Sequence, residues 1–483
     1  MKGLWPWLTR EREFPGPLRY IDIFKLRRPV FKLCRLLGFK RIAIILCALV
    51  CAVAILHTIL NIWAYQVLQE ELRKSEAAGI HFDLCKYNLP KAPEAENAAY
   101  LYRAAFSLVR SQEKELCELL DAVKERWPEK GPPDAQLRGR MERFLQSERI
   151  LLALRLLDEA TGIPECNWGL RYEEGVRIAL HHLVGLRPAA WALIVRAQLR
   201  HVSGDQRGAV SDFQAVVRMA ERIESDRLVI SEVTQQSFCN RCREAAARMV
   251  TAEPLSSDTA AALQACFERF GKLVDLSGPL RVEPAMCYVS TEEMRGRPEL
   301  VREWFRDDSL LSPRFVTYPF RPLYRFSQAR YLRYQRELIE LSKKPYHEVK
   351  GRLEEMQDQI WSERKGFSLP RVLTMVWVLD RTQPQGRANA ETVRLGLALE
   401  IYRARFGSYP NSLNALVPDI LVKLPLDPFT GNSFLYRISE AELAVYSVGE
   451  NGIDDGGEVW QTRLNPGADD IAWRVPRQDS ASD

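Results

Sequence analysis

From Ile42 to Trp63 the chain reads IAIILCALVCAVAILHTILNIW, 22 positions without a charge. As a helix this stretch is roughly 33 Å long, enough to cross a hydrocarbon core. Its only polar side chains, His57, Thr58 and Asn61, sit near one end. The pattern predicts an uncleaved transmembrane helix over 42–64, since a signal peptide has a shorter apolar run and a shorter basic flank. Beyond it the period becomes helical. In EAENAAYLYRAAFSLVRSQEKELCELLDAV, Ala99, Tyr102, Phe106 and Val109 share one face. PEKGPPD punctuates, and Asp134 is placed to cap the helix that follows. These runs predict a helical domain over 65–275. Six prolines between Pro279 and Pro322 predict an irregular connector over 276–322. A second helical segment covers 323–385, broken at Pro345, with Tyr331, Tyr334, Leu338 and Leu341 in one stripe. SLPRVLTMVWVL is too short to span a bilayer and reads as a buried helix.

After Gly386 the texture changes. NAETVRLGLALEIYRARFGSYP is an amphipathic helix that stops at Gly407. FLYRI and LAVYSV are strand-like and separated by the polar turn SEAE. A helix followed by a small antiparallel sheet is an α+β unit, expected over 386–475, with a disordered tail over 476–483. The predicted fold class is therefore mainly α, with one N-terminal transmembrane helix, a helical extracytoplasmic region and this C-terminal unit.

Charge changes the picture of the first forty residues. Residues 1–41 hold eleven Lys or Arg against three acids, a balance of +8. The whole chain sums to +5, so the remainder carries −3, and no nucleic-acid partner is predicted. The basic tail places the N-terminus in the cytoplasm and the bulk of the chain on the far side of the membrane. Membrane lipid around 42–64 is thus one partner; an unidentified protein on the far side is the other. Seven of the ten cysteines follow the apolar run, an odd number without regular spacing, which argues against a disulfide scaffold.

Two resemblances add to this reading. The hairpin at 190–223 resembles one tetratricopeptide repeat: Ala197 lies seven residues before Gly204, Ala209 five after it and Phe213 nine after it. No second copy follows, so a generic helical hairpin is the other reading. Over about 388–473, the blocks LEIYRARFGSYP, SLNALVP, LPLDPFTGNSFLYR, YSVGENG and ADDIAW resemble, in that order, the major pseudopilin of type II secretion systems. The resemblance implies a long helix on a small sheet and a calcium-binding loop before the C-terminus. Its ligands would fall on Asn451, Asp469 and Asp470, with carbonyls near Val448. The sequence departs from that family at Asn451, where the family has an acid, and in a longer loop between Gly452 and Asp469. It departs also at Gly38-Phe39, where the fifth residue counted from Phe39 is Ala43 instead of a glutamate. Entry into a pilus is therefore not expected.

The loop itself, SVGENGIDDGGE, admits two readings. Glu450, Asn451, Asp454, Asp455, Glu458, Asp469 and Asp470 offer oxygens of the kind calcium takes, but acidic glycine-rich turns also simply face water. No HExxH, GxSxG, P-loop or GxGxxG pattern is present. His181 and His182 point about 100° apart on a helix and read as surface or packing residues. CNRC, Cys239 to Cys242, lies in apparent helix and is open to three readings: packed thiols, a structural disulfide, or a redox pair. No catalytic or cofactor-binding residue is assigned. The sequence predicts a membrane-anchored interaction or scaffold protein; the resemblance implies a bacterial inner membrane, a periplasmic C-terminal region with its protein partner there, and a link to a type II secretion or pilus-like assembly. The contrasting class is a membrane-tethered hydrolase with its site in the helical region.

Overall fold

The computed structural model describes residues 23–127, 131–304, 311–363, 366–373, 376–439, 442–458 and 469–476, with backbone only for 23–40 and 304. Residues 1–22 of the basic tail and 477–483 of the expected disordered tail lie outside these residues; Pro476, counted in that tail, is the last residue of a strand. The chain divides into two units, 1–65 and 66–483.

The first unit is described by the helix α1 (Ile23–Ala77). Its stretch from Arg41 is long and apolar enough to cross a membrane. Ile44, Leu49, Val53, Leu56, Ile59 and Trp63 are all exposed, an apolar surface that a bilayer accommodates and water does not.

The second unit begins in the last turns of α1 and continues through α2 (Ala99–Arg110), α3 (Glu113–Arg126), α4 (Ala135–Gln146) and α5 (Glu148–Gly162). Asp134 caps α4, accepting the Leu137 N–H at 2.6 Å. Ala99, Tyr102, Phe106 and Val109 are buried together on α2, as their spacing requires. The hairpin follows as α6 (His181–Val202) and α7 (Gln206–Glu224), with Ala197, Ala209 and Phe213 buried between them. Next come α8 (Val229–Ala252) and α9 (Ser257–Leu273).

The connector expected over 276–322 is in fact partly helical: α10 (Pro279–Gly296) and the short α11 (Leu300–Trp304) lie within it. The prolines misled because of where they fall. Pro279 occupies the first turn of α10, where a missing N–H costs nothing. Pro284 sits early in the same helix, buried among apolar neighbours whose packing offsets one lost hydrogen bond. Then follow α12 (Arg321–Leu341), α13 (Tyr346–Ser362), with Pro345 at the break, and α14 (Leu369–Leu373). Against α12 lie Leu68 and Glu71 of α1. Glu71 is buried and takes ion pairs from Arg333, at 3.2 Å, and from Arg336. Glu71→Ala is expected to cost about 2 kcal/mol, less than the loss of a fully buried pair because Arg333 is largely exposed. Chemical denaturation of the full chain in detergent checks this, and an unchanged midpoint would refute it.

The chain ends with α15 (Gln383–Phe406), capped at the left-handed Gly407, and a three-stranded antiparallel sheet. Its strands are β1 (Leu435–Ile438), β2 (Glu442–Ser447) and β3 (Ile471–Pro476), in the order β1-β2-β3. The small sheet on a helix is the expected α+β arrangement, but the break expected at 386 is not a break in the core. One apolar cluster runs from Ala98 in the N-terminal helices to Val475 in β3. The reason is that α15 buries two sides, one under Trp473 and one against α9, where Ala390 lies beside Gly271.

Candidate functional site

β2 hands the chain to the acidic loop at Ser447. Asp427, buried in the turn before β1, anchors this exit: it accepts the Ser447 hydroxyl at 2.9 Å and the Val448 N–H at 3.3 Å. Gly449 then passes close over the start of β3. A side chain there would lie 2.3 Å from the Asp469 carbonyl oxygen, and the backbone has φ +64°, so only glycine fits.

This turn brings the two ends of the loop together. Carboxylate oxygens of Asp455, Asp469 and Asp470 all lie within 4.8 Å of one another. Asp470 is only 2% exposed. One of its oxygens accepts the Gly457 N–H at 2.7 Å; the other, Oδ1, is buried with no partner among the described residues. Asp469 holds the Asn451 N–H at 2.9 Å through Oδ2 and likewise leaves Oδ1 buried and unpaired. Burial, followed by the charges of Asp455 and Asp454, pushes the Asp470 carboxyl up to about 6. Unpaired buried carboxylate oxygens are costly, and a hard cation is the partner this all-oxygen donor set suits.

The predicted ligands are thus brought together unevenly. Asp469 and Asp470 converge. Asn451 lies beside them, but its side-chain oxygen accepts the Ile453 N–H at 2.6 Å and its amide nitrogen donates to Asp455 at 3.2 Å. Only after the amide turns over would that oxygen face a cation. Of Val448, the backbone N–H is committed to Asp427 at 3.3 Å, outside the cluster of three carboxylates. Asp455, one of the acids counted in the loop but not assigned by the resemblance, supplies the third carboxylate. Asp454 is engaged elsewhere, by the Tyr446 hydroxyl at 2.9 Å, and Glu450 pairs with Arg381 at 3.1 Å. The stretch 459–468 of the loop lies outside the described residues.

The other candidates resolve into packing. His182 is buried, stacked on Trp168 at 4.7 Å and bonded through Nε2 to Asp226 at 2.8 Å. Ser231 also donates to Asp226, at 2.7 Å. Histidine and serine therefore share the carboxylate instead of meeting each other, and the trio lacks the serine–histidine bond that activates a nucleophile. Cys239 and Cys242 are free, buried thiols in α8. Burial pushes Cys239 up to about 12 and Cys242 well above the ordinary thiol value, away from thiolate chemistry.

No family model, curated protein or solved structure matches this chain.

Proposed function

We propose that this chain is a membrane-anchored periplasmic scaffold or interaction protein whose C-terminal domain is locked by calcium. The apolar helix would tether it, with the basic tail on the cytoplasmic side. The helical body would present its surface to a protein partner, and no residue has a catalytic role in this reading. What supports it most is the pair of buried oxygens on Asp469 and Asp470, without a partner among the described residues, beside Asp455. A divalent cation there would tie the loop's two ends to each other and to β3. A link to a type II secretion or pilus-like assembly rests on the sequence resemblance alone.

The test is thermal unfolding of the detergent-solubilised full chain with chelator and then with millimolar calcium. At one hundred times Kd, binding to the folded state adds about 2.7 kcal/mol. A rise in Tm that Asp470→Asn abolishes is the expected result. Equal melting with and without calcium would remove the metal from this reading.

A further inference from the structure

A cavity of about 490 Å³ opens where the end of α9, the starts of α13 and α15, and the loop 425–428 meet. That volume is typical of a small-molecule site. Val274, Pro384, Leu426 and Pro428 give it an apolar wall. Rigid proline rings and a valine do not fold inward to fill such a space, so the wall stays open.

The polar groups in the cavity divide by whether they already have partners. Lys272 pairs with Glu268 at 2.8 Å, Glu391 with Arg394 at 2.7 Å, and Asp275 accepts from Ser277 at 2.9 Å. Asp427 spends both oxygens on the exit of β2. Two groups remain. Arg387 makes no ion pair among the described residues. Gln383 is only 6% exposed, lines the cavity, and its side-chain amide has no hydrogen bond among the described residues. As a cavity-lining group, that amide is available to hydrogen-bond a bound molecule in place of water. His347, whose ring packs against Gly431, stands at the same opening.

An unengaged guanidinium, an idle amide and an apolar wall together select one chemistry. We propose that this cavity binds an apolar molecule carrying a single carboxylate, with the carboxylate on Arg387, the amide of Gln383 fixing its orientation, and the apolar body against Val274, Pro384 and Leu426. Guanidinium and carboxylate match as a two-point hydrogen-bonded pair. Such a group comes from a free organic acid or from the C-terminal end of a peptide.

The experiment is calorimetric titration of the detergent-solubilised full chain with phenylbutyrate and with the tripeptide Ala-Pro-Leu, each compared with its primary amide. At least one free acid is expected to bind saturably, and its amide about tenfold more weakly or worse. Arg387→Ala is expected to weaken the acid by about tenfold. Leu426→Trp, at a position 58% exposed, is expected to block the cavity while leaving Tm unchanged. Binding of the peptide alone would assign the site to chain ends, and binding of phenylbutyrate alone to small acids. Absence of saturable binding by both acids would overturn the proposal. So would equal affinity of acid and amide, or an affinity indifferent to Arg387→Ala.

Discussion

Trp473→Ala is expected to destabilise the full chain by about 3–5 kcal/mol, the range for emptying a buried indole site. Trp473 lies in β3, paired with Val445 of β2, and is 1% exposed. Its ring rests directly on the backbone of α15 at Gly396, where an added Cβ would come 2.4 Å from indole carbons. The converse substitution gives a sharper test, because two effects oppose each other there. Gly396→Ala gains about 1 kcal/mol in helix propensity but forces the indole off the helix, at about 1–3 kcal/mol for overpacking. Net destabilisation by Gly396→Ala, measured by denaturant titration in detergent, is the expected outcome. If Gly396→Ala stabilised the protein, the close approach of sheet and helix would not be what holds the C-terminal domain.

The second large effect depends on pH. Glu232, in the first turn of α8, is buried, and its carboxyl is pushed up to about 9, first by burial and then by Glu224, Asp275 and Asp226. Glu283 of α10, whose Oε1 accepts the Val229 N–H at 2.7 Å, is pushed up to about 7 by burial. Both folded values lie above the ordinary 4.5. Their stabilising contribution is therefore complete below that value and is lost as pH rises through the folded values. For Glu232 alone, stability falls by up to about 1.4 kcal/mol per pH unit across the window. Glu232→Gln keeps the shape and removes the charge. Its Tm is expected to match the parent under acid conditions and to exceed it at mildly alkaline pH. Parallel Tm profiles for the two proteins would show that Glu232 does not set the alkaline limit.

Several features were legible in the sequence because each has a local cause. The charge-free run, the stripe on α2, the Asp134 cap and the stop at Gly407 each follow from the residues within one or two turns. The helix α10 is hidden in the sequence because a proline breaks a helix only at some positions: Pro279 sits in the first turn, which tolerates it, and tertiary packing holds Pro284. Within the acidic loop, the resemblance implies Asp469 and Asp470, and the fold brings those two carboxylates together. The third carboxylate, on Asp455, depends on how the glycine-rich turn folds back, which spacing alone does not give. Asn451 shows the same limit, since its oxygen is occupied by its own turn. The cavity was invisible, because Gln383 and Leu426 meet only through the packing of distant segments.

The shared packing of α9 and α15 also imposes an order on biogenesis. The side of α9 that carries Gln264 and Gly271 is covered by α15, with the Gln264 amide donating to the Arg394 carbonyl at 3.2 Å. α9 ends at Leu273 and α15 begins at Gln383, some hundred residues later in the chain. At ordinary rates of synthesis that interval is about five to twenty seconds. Through it, that side of α9 lies bare in the nascent chain, so α9 is the segment on which a folding helper or a protease would act before the last helix arrives.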